Sequence, residues 1–263
     1  MMVTTTKIEI DLKKHPRRKL KIIMTIILAG LIALSFFTGY FFLTLPDVEY
    51  LKTQNPPTTA LIEQRKTEAR EKGKKLKIRQ KWVNFDTIPE LLKKTVIVSE
   101  DAAFYQHDGI DYYELKEAIK RNLKKGKKVR GGSTITQQLA KNLFLSTEKS
   151  YYRKLREFFI AKNLEKHLPK NRIFHLYLNV IELGKGIFGV EAASEYYFKK
   201  SVSDLNLVEI VRLAAVLPKP LRVTPLSNSR YLKWRAKLLL DRLKKYHYIT
   251  DEEYNHTLIE FTR

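Results

Sequence analysis

The chain has 263 residues, with 50 Lys and Arg against 28 Asp and Glu, a formal net charge of +22 and no cysteine. This length accommodates one membrane segment and one globular domain of roughly two hundred residues, and a second catalytic domain would not fit comfortably. The lack of cysteine excludes a disulfide framework, a thiol nucleophile and a thiolate metal site. The positive charge predicts an anionic partner, either nucleic acid or anionic lipid.

The first predicted element is an apolar segment at residues 22–46, which has no charged side chain. It is long enough to span a membrane and predicts an uncleaved anchor. A cleaved signal peptide is the alternative, but its apolar part would be only about 7–15 residues long, whereas this run continues through Phe41 and Phe42. By the positive-inside rule, the basic residues before the segment place the N-terminus in the cytoplasm: Lys13, Lys14, Arg17, Arg18, Lys19 and Lys21.

The anchor sets the predicted division of the chain. Residues 1–21 form a cytoplasmic N-terminus, 22–46 the anchor, 47–87 a juxtamembrane stem and 88–263 the outer domain. The expected location is the cytoplasmic (inner) membrane, crossed once, with the outer domain in the periplasm or outside. In that topology lipid headgroups and phosphates are the favoured anionic partner, and nucleic acid is not expected.

The outer domain is predicted to be mainly α, because few stretches alternate polar and apolar residues with period two. Its first helix begins near Pro89 and carries an apolar stripe that includes Leu92 and Val96. The charge run from Glu63 to Arg79 in the stem is interpreted as a solvated helix. Further helices are predicted at 112–124, 134–145, 150–167, 170–183, 187–198, 204–217 and 228–246.

Residues 99–109 combine a carboxylate, an aromatic residue and a histidine. If residues 95–107 form a helix, Glu100, Phe104 and His107 share one face and Asp101 points elsewhere. A partly desolvated glutamate on such a face suits a base that takes a hydroxyl proton. Taken alone, the segment favours an ordinary charge at a helix end.

Residues 131–138 form a glycine turn that leads into a helix. Thr134 and Gln137 have the spacing of a capping box, and the free backbone N–H groups of a helix N-terminus can bind an anion. Lys141, one turn beyond Gln137, would add a positive charge there. A simple turn and cap remains the alternative for this segment.

Residues 153–157 set Arg153 and Glu157 four positions apart, which on most helices is a weak surface pair. The functional interpretation makes the cations phosphate ligands and Glu157 a second carboxylate. The basic loop at residues 124–130 is either solvated or faces the membrane. The histidines lack metal-ligand spacing, so no metal site is predicted.

Together these segments resemble the glycosyltransferase family 51 domain of the peptidoglycan transglycosylases, over roughly residues 58–246. The first three motifs read Glu100-Asp101-x-x-Phe104-x-x-His107-x-Gly109, Gly131-Gly132-Ser133-Thr134-Ile135-Thr136-Gln137-Gln138 and Arg153-Lys154-x-x-Glu157. The fourth runs from Arg172 to Asn179 and on to Ala193, and the fifth from Leu213 to Pro220. The stem resembles that of the monofunctional branch. His175 departs from the family, in which many members carry glutamate.

The resemblance implies an N-terminal transmembrane helix, a lysozyme-like helical domain and a smaller membrane-facing lobe around residues 112–150. It implies polymerisation of lipid II into β-1,4 glycan strands, with inversion and release of polyprenyl diphosphate. Glu100 would act as the base, and Glu157 would orient cations or assist the leaving group. Substrate binding would fall to Asp101, Phe104, His107, Gly132, Ser133, Thr134, Gln137, Gln138, Lys141, Arg153, Lys154 and Asn179.

The expected partners are lipid II, the growing glycan strand, membrane lipids and cell-division or elongation proteins. No cofactor is expected to be required, although a divalent cation, Mg²⁺ or Mn²⁺, would fit at the diphosphate. One alternative is a lytic transglycosylase or muramidase that cleaves glycan, which release of sugar fragments from cell wall would reveal. The other is a membrane-anchored, non-enzymatic scaffold that binds anionic lipid or teichoic polymers. Its binding would fall uniformly with salt and would not depend on Glu100.

Overall fold

The structure is a computed structural model that describes residues 16–126 and 132–262. The chain divides into two units between Pro46 and Asp47. The first unit contains helix α1, Pro16–Leu43. Within it, Leu20–Leu43 contains an 18-residue apolar window with a mean hydropathy of 2.4 and no buried residue. By length and composition this helix is a candidate membrane anchor.

The second unit is mainly helical, with three short strands in its described residues. Its helices are α2 (Ala60–Glu71), α3 (Glu90–Glu100), α4 (Tyr112–Lys125), α5 (Ile135–Phe144), α6 (Tyr151–His167), α7 (Lys170–Val180), α8 (Val190–Phe198), α9 (Leu207–Ala215), α10 (Arg230–Lys245) and α11 (Asp251–Thr262). The strands are β1 (Arg79–Gln80), β2 (Glu182–Gly184) and β3 (Ile187–Phe188). The predicted fold class, mainly α with an apolar N-terminal helix, is confirmed.

Several helices begin where the sequence supplies a capping side chain. Asp111 accepts a hydrogen bond from the Glu114 backbone at the start of α4, and Ser150 does the same for Arg153 in α6. Such caps satisfy backbone N–H groups that have no partner inside the helix. Because these caps are visible in the sequence, they make the helix starts predictable. The helices predicted at 112–124, 134–145, 150–167 and 228–246 are confirmed to within two residues at each end.

The core is built around α5, which packs against α6, α7 and α2. Its apolar residues Ile135, Leu139 and Ala140 are fully buried. A second group forms where α3 packs against α9 and α10. Glu100 on α3 and Glu157 on α6 therefore lie in different packing groups. Helix α5 packs against α6.

The segment between α7 and α8 differs from the prediction. Helices were expected over 170–183 and 187–198, but α7 ends at Val180 and the chain forms β2 and β3 before α8. β3 pairs with β2 in antiparallel fashion and with β1 in parallel. Gly186 and Gly189 have φ values of +72° and +82°, which other residues rarely adopt. A helix cannot continue through these glycines. The helix predicted at 204–217 is also shorter, because Asn206 caps α9.

Helix α4 has an apolar face that the described part of the protein leaves exposed. Tyr112, Leu115, Ile119 and Leu123 recur at helical spacing and are 37–77% exposed. The smaller lobe expected around residues 112–150 stays a prediction; within that range α5 packs against α2, α6 and α7. The predicted basic loop lies mostly at residues 127–130, outside the described residues.

Candidate active site

Glu100 is the last residue of α3, and its side chain is 12% exposed. Its Oε1 accepts a hydrogen bond from the Ser99 hydroxyl at 2.7 Å, and its Oε2 accepts one from Gln138 Nε2 at 3.1 Å. The condition of a helix over residues 95–107 is not met, since the backbone of Asp101, with φ −161° and ψ 76°, has already left the helical conformation. Glu100 therefore occupies a helix end and does not share a helical face with Phe104 and His107.

Asp101, the residue after Glu100, links two segments of the fold through its carboxylate. Its Oδ1 lies 2.9 Å from His107 Nε2, and its Oδ2 accepts the backbone N–H of Ile135 at 3.0 Å. Asp101 thus joins the first motif to the N-terminus of α5, where a carboxylate is favoured by the helix dipole. The prediction that Asp101 points away from His107 is wrong, because ending α3 at Glu100 turns the chain back.

Phe104 is fully buried and packs against Phe174 with ring centroids 5.5 Å apart. Lys170 Nζ lies 4.5 Å from the centroid of the Phe104 ring and also donates a hydrogen bond to Glu165 Oε1. Gly109 has a φ of +83°, and a Cβ there would lie 2.9 Å from Glu165. These contacts make the end of the first motif a packed support for the site.

The N-terminus of α5 contains the predicted capping box. The Thr134 hydroxyl accepts the Gln137 N–H, and Gln137 Oε1 accepts the Thr134 N–H. The Thr134 hydroxyl also donates to the carbonyl of Gly109 at 2.6 Å. The capping box predicted from the spacing is confirmed. Its hydrogen bonds engage the side chains of both Thr134 and Gln137. Gly132 lies against α4, where a Cβ would be 3.3 Å from Leu115, and Gly131 lies outside the described residues.

Gln138 connects Glu100 to the buried side of α7. The Tyr177 hydroxyl donates to Gln138 Oε1 at 3.1 Å, while the Gln138 amide donates to Glu100. Burial raises the pKa of Tyr177 well above its usual value, and Glu100 adds to this effect. Tyr177 therefore stays protonated, which fixes the direction of the chain of hydrogen bonds from Tyr177 through Gln138 to Glu100.

Glu157 lies on α6 with its side chain 4% exposed, and it bonds two cations of the same helix. Arg153 donates to its Oε2 at 2.5 Å, and Lys154 donates to its Oε1. Lys154 also donates to the exposed hydroxyl of Ser133 at 3.0 Å. The second and third motifs therefore meet, as the prediction of a common site requires.

Lys141 lies on α5 one turn after Gln138 and is half-buried. Burial lowers the pKa of Lys141. Among nearby charges, Glu157 opposes this shift, whereas Arg153 and Lys154 add to it. Lys141 is therefore close enough to Glu157, Arg153 and Lys154 for their charges to affect its pKa.

A cleft of about 430 Å³ is lined by Gln138, Lys141 and Tyr177 of these residues. One wall contains Arg65 of α2, which forms two 2.8 Å hydrogen bonds with the buried carboxylate of Glu182. The cleft combines cationic and hydrogen-bonding groups, as an anionic, sugar-bearing substrate requires. Its polar lining consists of Arg65, Gln138, Lys141, Asn142, Thr147, Tyr177, Glu182, Lys219 and Arg222.

Asn179 and His175 lie away from the lining of this cleft. Asn179 is fully buried, where it accepts the Val83 N–H at 2.9 Å and donates to the carbonyl of His175. His175 contacts the Val83 carbonyl at 2.8 Å and Arg172 at 3.0 Å, and burial lowers its pKa. Both residues hold the segment after β1 against α7, so the structure gives Asn179 a supporting position.

The family model described as Transglycosylase matches residues 67–244. A biosynthetic peptidoglycan transglycosylase of Janthinobacterium sp. (strain Marseille) is 40% identical over 223 residues, which are 85% of this chain and 95% of that protein. The chain belongs to the transglycosylase family. A biosynthetic peptidoglycan transglycosylase of Chromobacterium violaceum is 42% identical over 217 residues, 82% of this chain and 94% of that protein. The crystal structure of penicillin-binding protein 1A from Haemophilus influenzae matches with TM-score 0.39 and 20% identity, over 70% of this chain and 18% of that chain.

One group of potential metal ligands occurs among the described residues of this transglycosylase. Ligand atoms of Asp101, His107 and Asp111 lie within 4.8 Å of one another. Asp101 and His107 already bond each other, and Asp111 Oδ1 accepts the N–H of Glu114 as the cap of α4. These hydrogen bonds explain the cluster as part of the fold.

Three groups near the site of this transglycosylase have no role in the predictions from the sequence. Tyr177 stands inside the fourth motif but was assigned no role, and the Arg65–Glu182 pair joins residues 117 positions apart. Arg235 approaches Glu100 from α10, with NH2 3.8 Å from Oε1. A motif can indicate Tyr177, but no local spacing indicates a pair that forms only in the folded chain.

Proposed function

We propose that the protein polymerises lipid II into β-1,4-linked glycan strands. Its membership of the transglycosylase family supports glycan synthesis for the cell wall. The observation that carries the proposal is the pairing of two environments across α5: Glu100 with its amide partner Gln138, and Glu157 with its cations. Such a pair can take a proton at one place and stabilise an anionic leaving group at another.

In the proposed reaction, Glu100 takes the proton from the 4-hydroxyl of the acceptor GlcNAc. The oxygen attacks the anomeric carbon of the donor MurNAc, the bond from that carbon to the diphosphate oxygen breaks, and the polyprenyl diphosphate leaves from the opposite face. The configuration is therefore inverted. A glycosidase uses paired carboxylates to activate water, whereas here the nucleophile is a sugar hydroxyl.

The negative charge that develops on the departing diphosphate needs cations placed in advance. We assign this role to Lys141, Arg153 and Lys154, with Ser133 as a hydrogen-bonding neighbour. Glu157 bonds Arg153 and Lys154 and so orients them. Gln138 positions the acceptor or the base, since it bonds Glu100 and lines the cleft.

We propose that the protein has no resident cofactor, and that any Mg²⁺ or Mn²⁺ enters with the diphosphate. The groups around Glu157 do not fit a resident divalent cation, because the carboxylate already bonds Arg153 and Lys154. Oxygen ligands are what these metals require. Dependence on the metal should accordingly follow the diphosphate and be absent from binding measurements on the protein alone.

We also propose that α1 anchors the protein in the cytoplasmic membrane with its N-terminus in the cytoplasm. The exposed apolar face of α4, which includes Leu115 and Ile119, would contact lipid. Basic residues on α4, such as Lys120 and Lys124, would meet anionic headgroups. A membrane-bound domain of this kind would receive lipid II directly from the bilayer. Cell-division or elongation proteins are proposed as further partners.

The experiment is incubation of the purified full chain in detergent with fluorescent lipid II, followed by a gel that resolves glycan strands. We expect a ladder that a muramidase degrades, which identifies β-1,4 polymer. Release of sugar fragments from purified cell wall, with no ladder, would instead support the lytic activity. Lipid II binding without either reaction would support the scaffold.

A further inference from the structure

Arg235 of α10 reaches the proposed base from a part of the chain far from the first motif. The residue is 8% exposed, and α10 packs against α3. Its NH2 group donates to the Ser99 hydroxyl at 2.8 Å. The Ser99 hydroxyl in turn donates to Glu100 Oε1 at 2.7 Å. The guanidinium and the carboxylate are thus connected through one hydroxyl, with a direct separation of 3.8 Å.

The two oxygens of Glu100 have different partners. Oε1 is held by Ser99, with Arg235 behind it, whereas Oε2 meets the amide of Gln138, a residue that lines the cleft. A side chain held at one oxygen keeps the other in a defined direction. Acid–base catalysis needs this precision, because the base must lie within hydrogen-bond reach of the proton that it takes.

We propose that Arg235 is a positioning residue, which acts through Ser99 to hold Oε1 of Glu100 and so presents Oε2 to the acceptor hydroxyl. The inference rests on the proposed function, in which Glu100 takes that proton. Arg235 does not touch the substrate in this account. Its effect is transmitted by one hydrogen bond to Ser99 and by its charge.

The environment of Arg235 argues against a role in packing alone. A buried arginine is costly unless its charge and donors are matched. Glu100 supplies a carboxylate within 4.0 Å, yet Arg235 Nε is buried without a hydrogen-bond partner among the described residues. An apolar side chain would fill the same space without leaving a donor unmatched. The charge and the Ser99 contact are what an apolar residue could not provide.

The test measures kcat and KM for lipid II polymerisation, together with thermal stability, in the full chain. The variants are Ser99→Ala, Arg235→Met, Arg235→Lys and the double variant of Ser99→Ala with Arg235→Met. We expect Arg235→Met to lower kcat by about 10- to 100-fold, as misplacement of a reacting group does, with KM changed less than about twofold. Arg235→Lys should recover part of this loss.

The double variant decides whether the two residues act together. If Arg235 works through Ser99, the double variant should lose no more kcat than Arg235→Met alone. Arg242 is the matched control, because it lies on the same helix and donates to the backbone carbonyl of Val98 in α3. Arg242→Met removes a link between α10 and α3 but leaves the Ser99 contact, so its kcat should stay within about twofold of wild type.

Additive losses in the double variant, or a fall in kcat that matches Arg242→Met and follows stability, would overturn the proposal. If Arg235→Met does not fold, Ser99→Ala and Arg235→Lys give the same test. Glu100→Gln separates the two levels of the account. Wild-type polymerisation by Glu100→Gln would contradict the proposed function. If Glu100→Gln loses polymerisation while Ser99→Ala and Arg235→Lys both keep wild-type kcat, only the positioning role of Arg235 is contradicted.

Discussion

The surroundings of the two glutamates differ in the kind of partner that they provide. Glu100 receives neutral donors, a hydroxyl from Ser99 and an amide from Gln138, and its nearest cation stands 3.8 Å away. Glu157 bonds Arg153 and Lys154 directly and is more deeply buried. In Glu100, Oε2 accepts a hydrogen bond from one amide. In Glu157, both carboxylate oxygens are bonded to cations.

This contrast suggests how one site can divide its work. A carboxylate with a weakly held oxygen beside a cleft can take up a proton without losing an ion pair. A carboxylate that joins two cations fixes their positions relative to a phosphate. Residue type alone does not distinguish these roles, because both positions are glutamate. Their neighbours distinguish them, and the predictions below alter those neighbours.

The largest effect is expected for Glu100→Gln. This change keeps the shape and the hydrogen-bonding capacity but removes the base, so kcat for polymerisation should fall by about 10² to 10⁴-fold. Glu90→Gln is the matched control, because Glu90 begins the same helix with its side chain 66% exposed. Continuous polymerisation assays on both variants measure the effect, and equal rates would remove Glu100 from the reaction.

A smaller but substantial loss is expected for Glu157→Gln. The change leaves Arg153 and Lys154 without their shared carboxylate, so that they no longer hold one arrangement. We expect kcat/KM to fall by about 10- to 100-fold, comparable to the loss of a stabilising donor. Steady-state kinetics with lipid II provide the measurement. A variant that keeps wild-type kcat/KM would show that the cations need no such support.

Lys141→Arg should change the pH dependence more than the maximal rate. Because burial lowers the pKa of Lys141, this lysine loses its proton at lower pH than an exposed lysine would. As pH rises through that pKa, the charge that attracts the diphosphate disappears and kcat/KM falls. Arginine stays charged, so the alkaline limb should move to higher pH. A limb that does not move in the kcat/KM profile would assign it to another group.

The smallest effect is expected for Tyr177→Phe. The change removes the hydrogen bond to Gln138 and leaves the ring in place. A typical hydrogen bond contributes about 1 kcal/mol, or roughly fivefold, so kcat should fall by about that factor. Tyr197→Phe is the control, since it also removes a tyrosine hydroxyl, which donates to the Leu183 carbonyl and bonds Thr224. A loss equal in both variants, or none in either, would separate Tyr177 from the site.

The sequence predicts most of this fold, because the helices carry local signals. The capping box of Thr134 and Gln137 could be predicted since its three-residue spacing is complete in the sequence. The strands β1 and β3 could not, because two residues are too few to display a period. Helix α11 also lies beyond the predicted helices, and its apolar contacts depend on α10 and α9.

The positions of site residues can be predicted where the residues lie in one motif. They cannot be predicted where contacts between distant segments determine them. The spacing of Glu100, Phe104 and His107 fits a helix, yet Asp101 leaves the helix because its carboxylate bonds His107 and the backbone of Ile135. The meeting of Lys154 with Ser133 follows from no local pattern. Motif spacing indicated which residues matter, and the folded contacts distinguished the cleft-facing groups from the supports.

The measurement that tests the division of work most directly is equilibrium binding of fluorescent lipid II in detergent to wild type, Glu100→Gln and Glu157→Gln. If Glu100 takes the proton and Glu157 orients the cations that bind the diphosphate, Glu100→Gln should bind lipid II with wild-type affinity although its kcat falls by about 10² to 10⁴-fold. Glu157→Gln should bind lipid II more weakly. Binding that falls for Glu100→Gln in proportion to its loss of turnover would contradict the account, because Glu100 would then serve to hold the substrate.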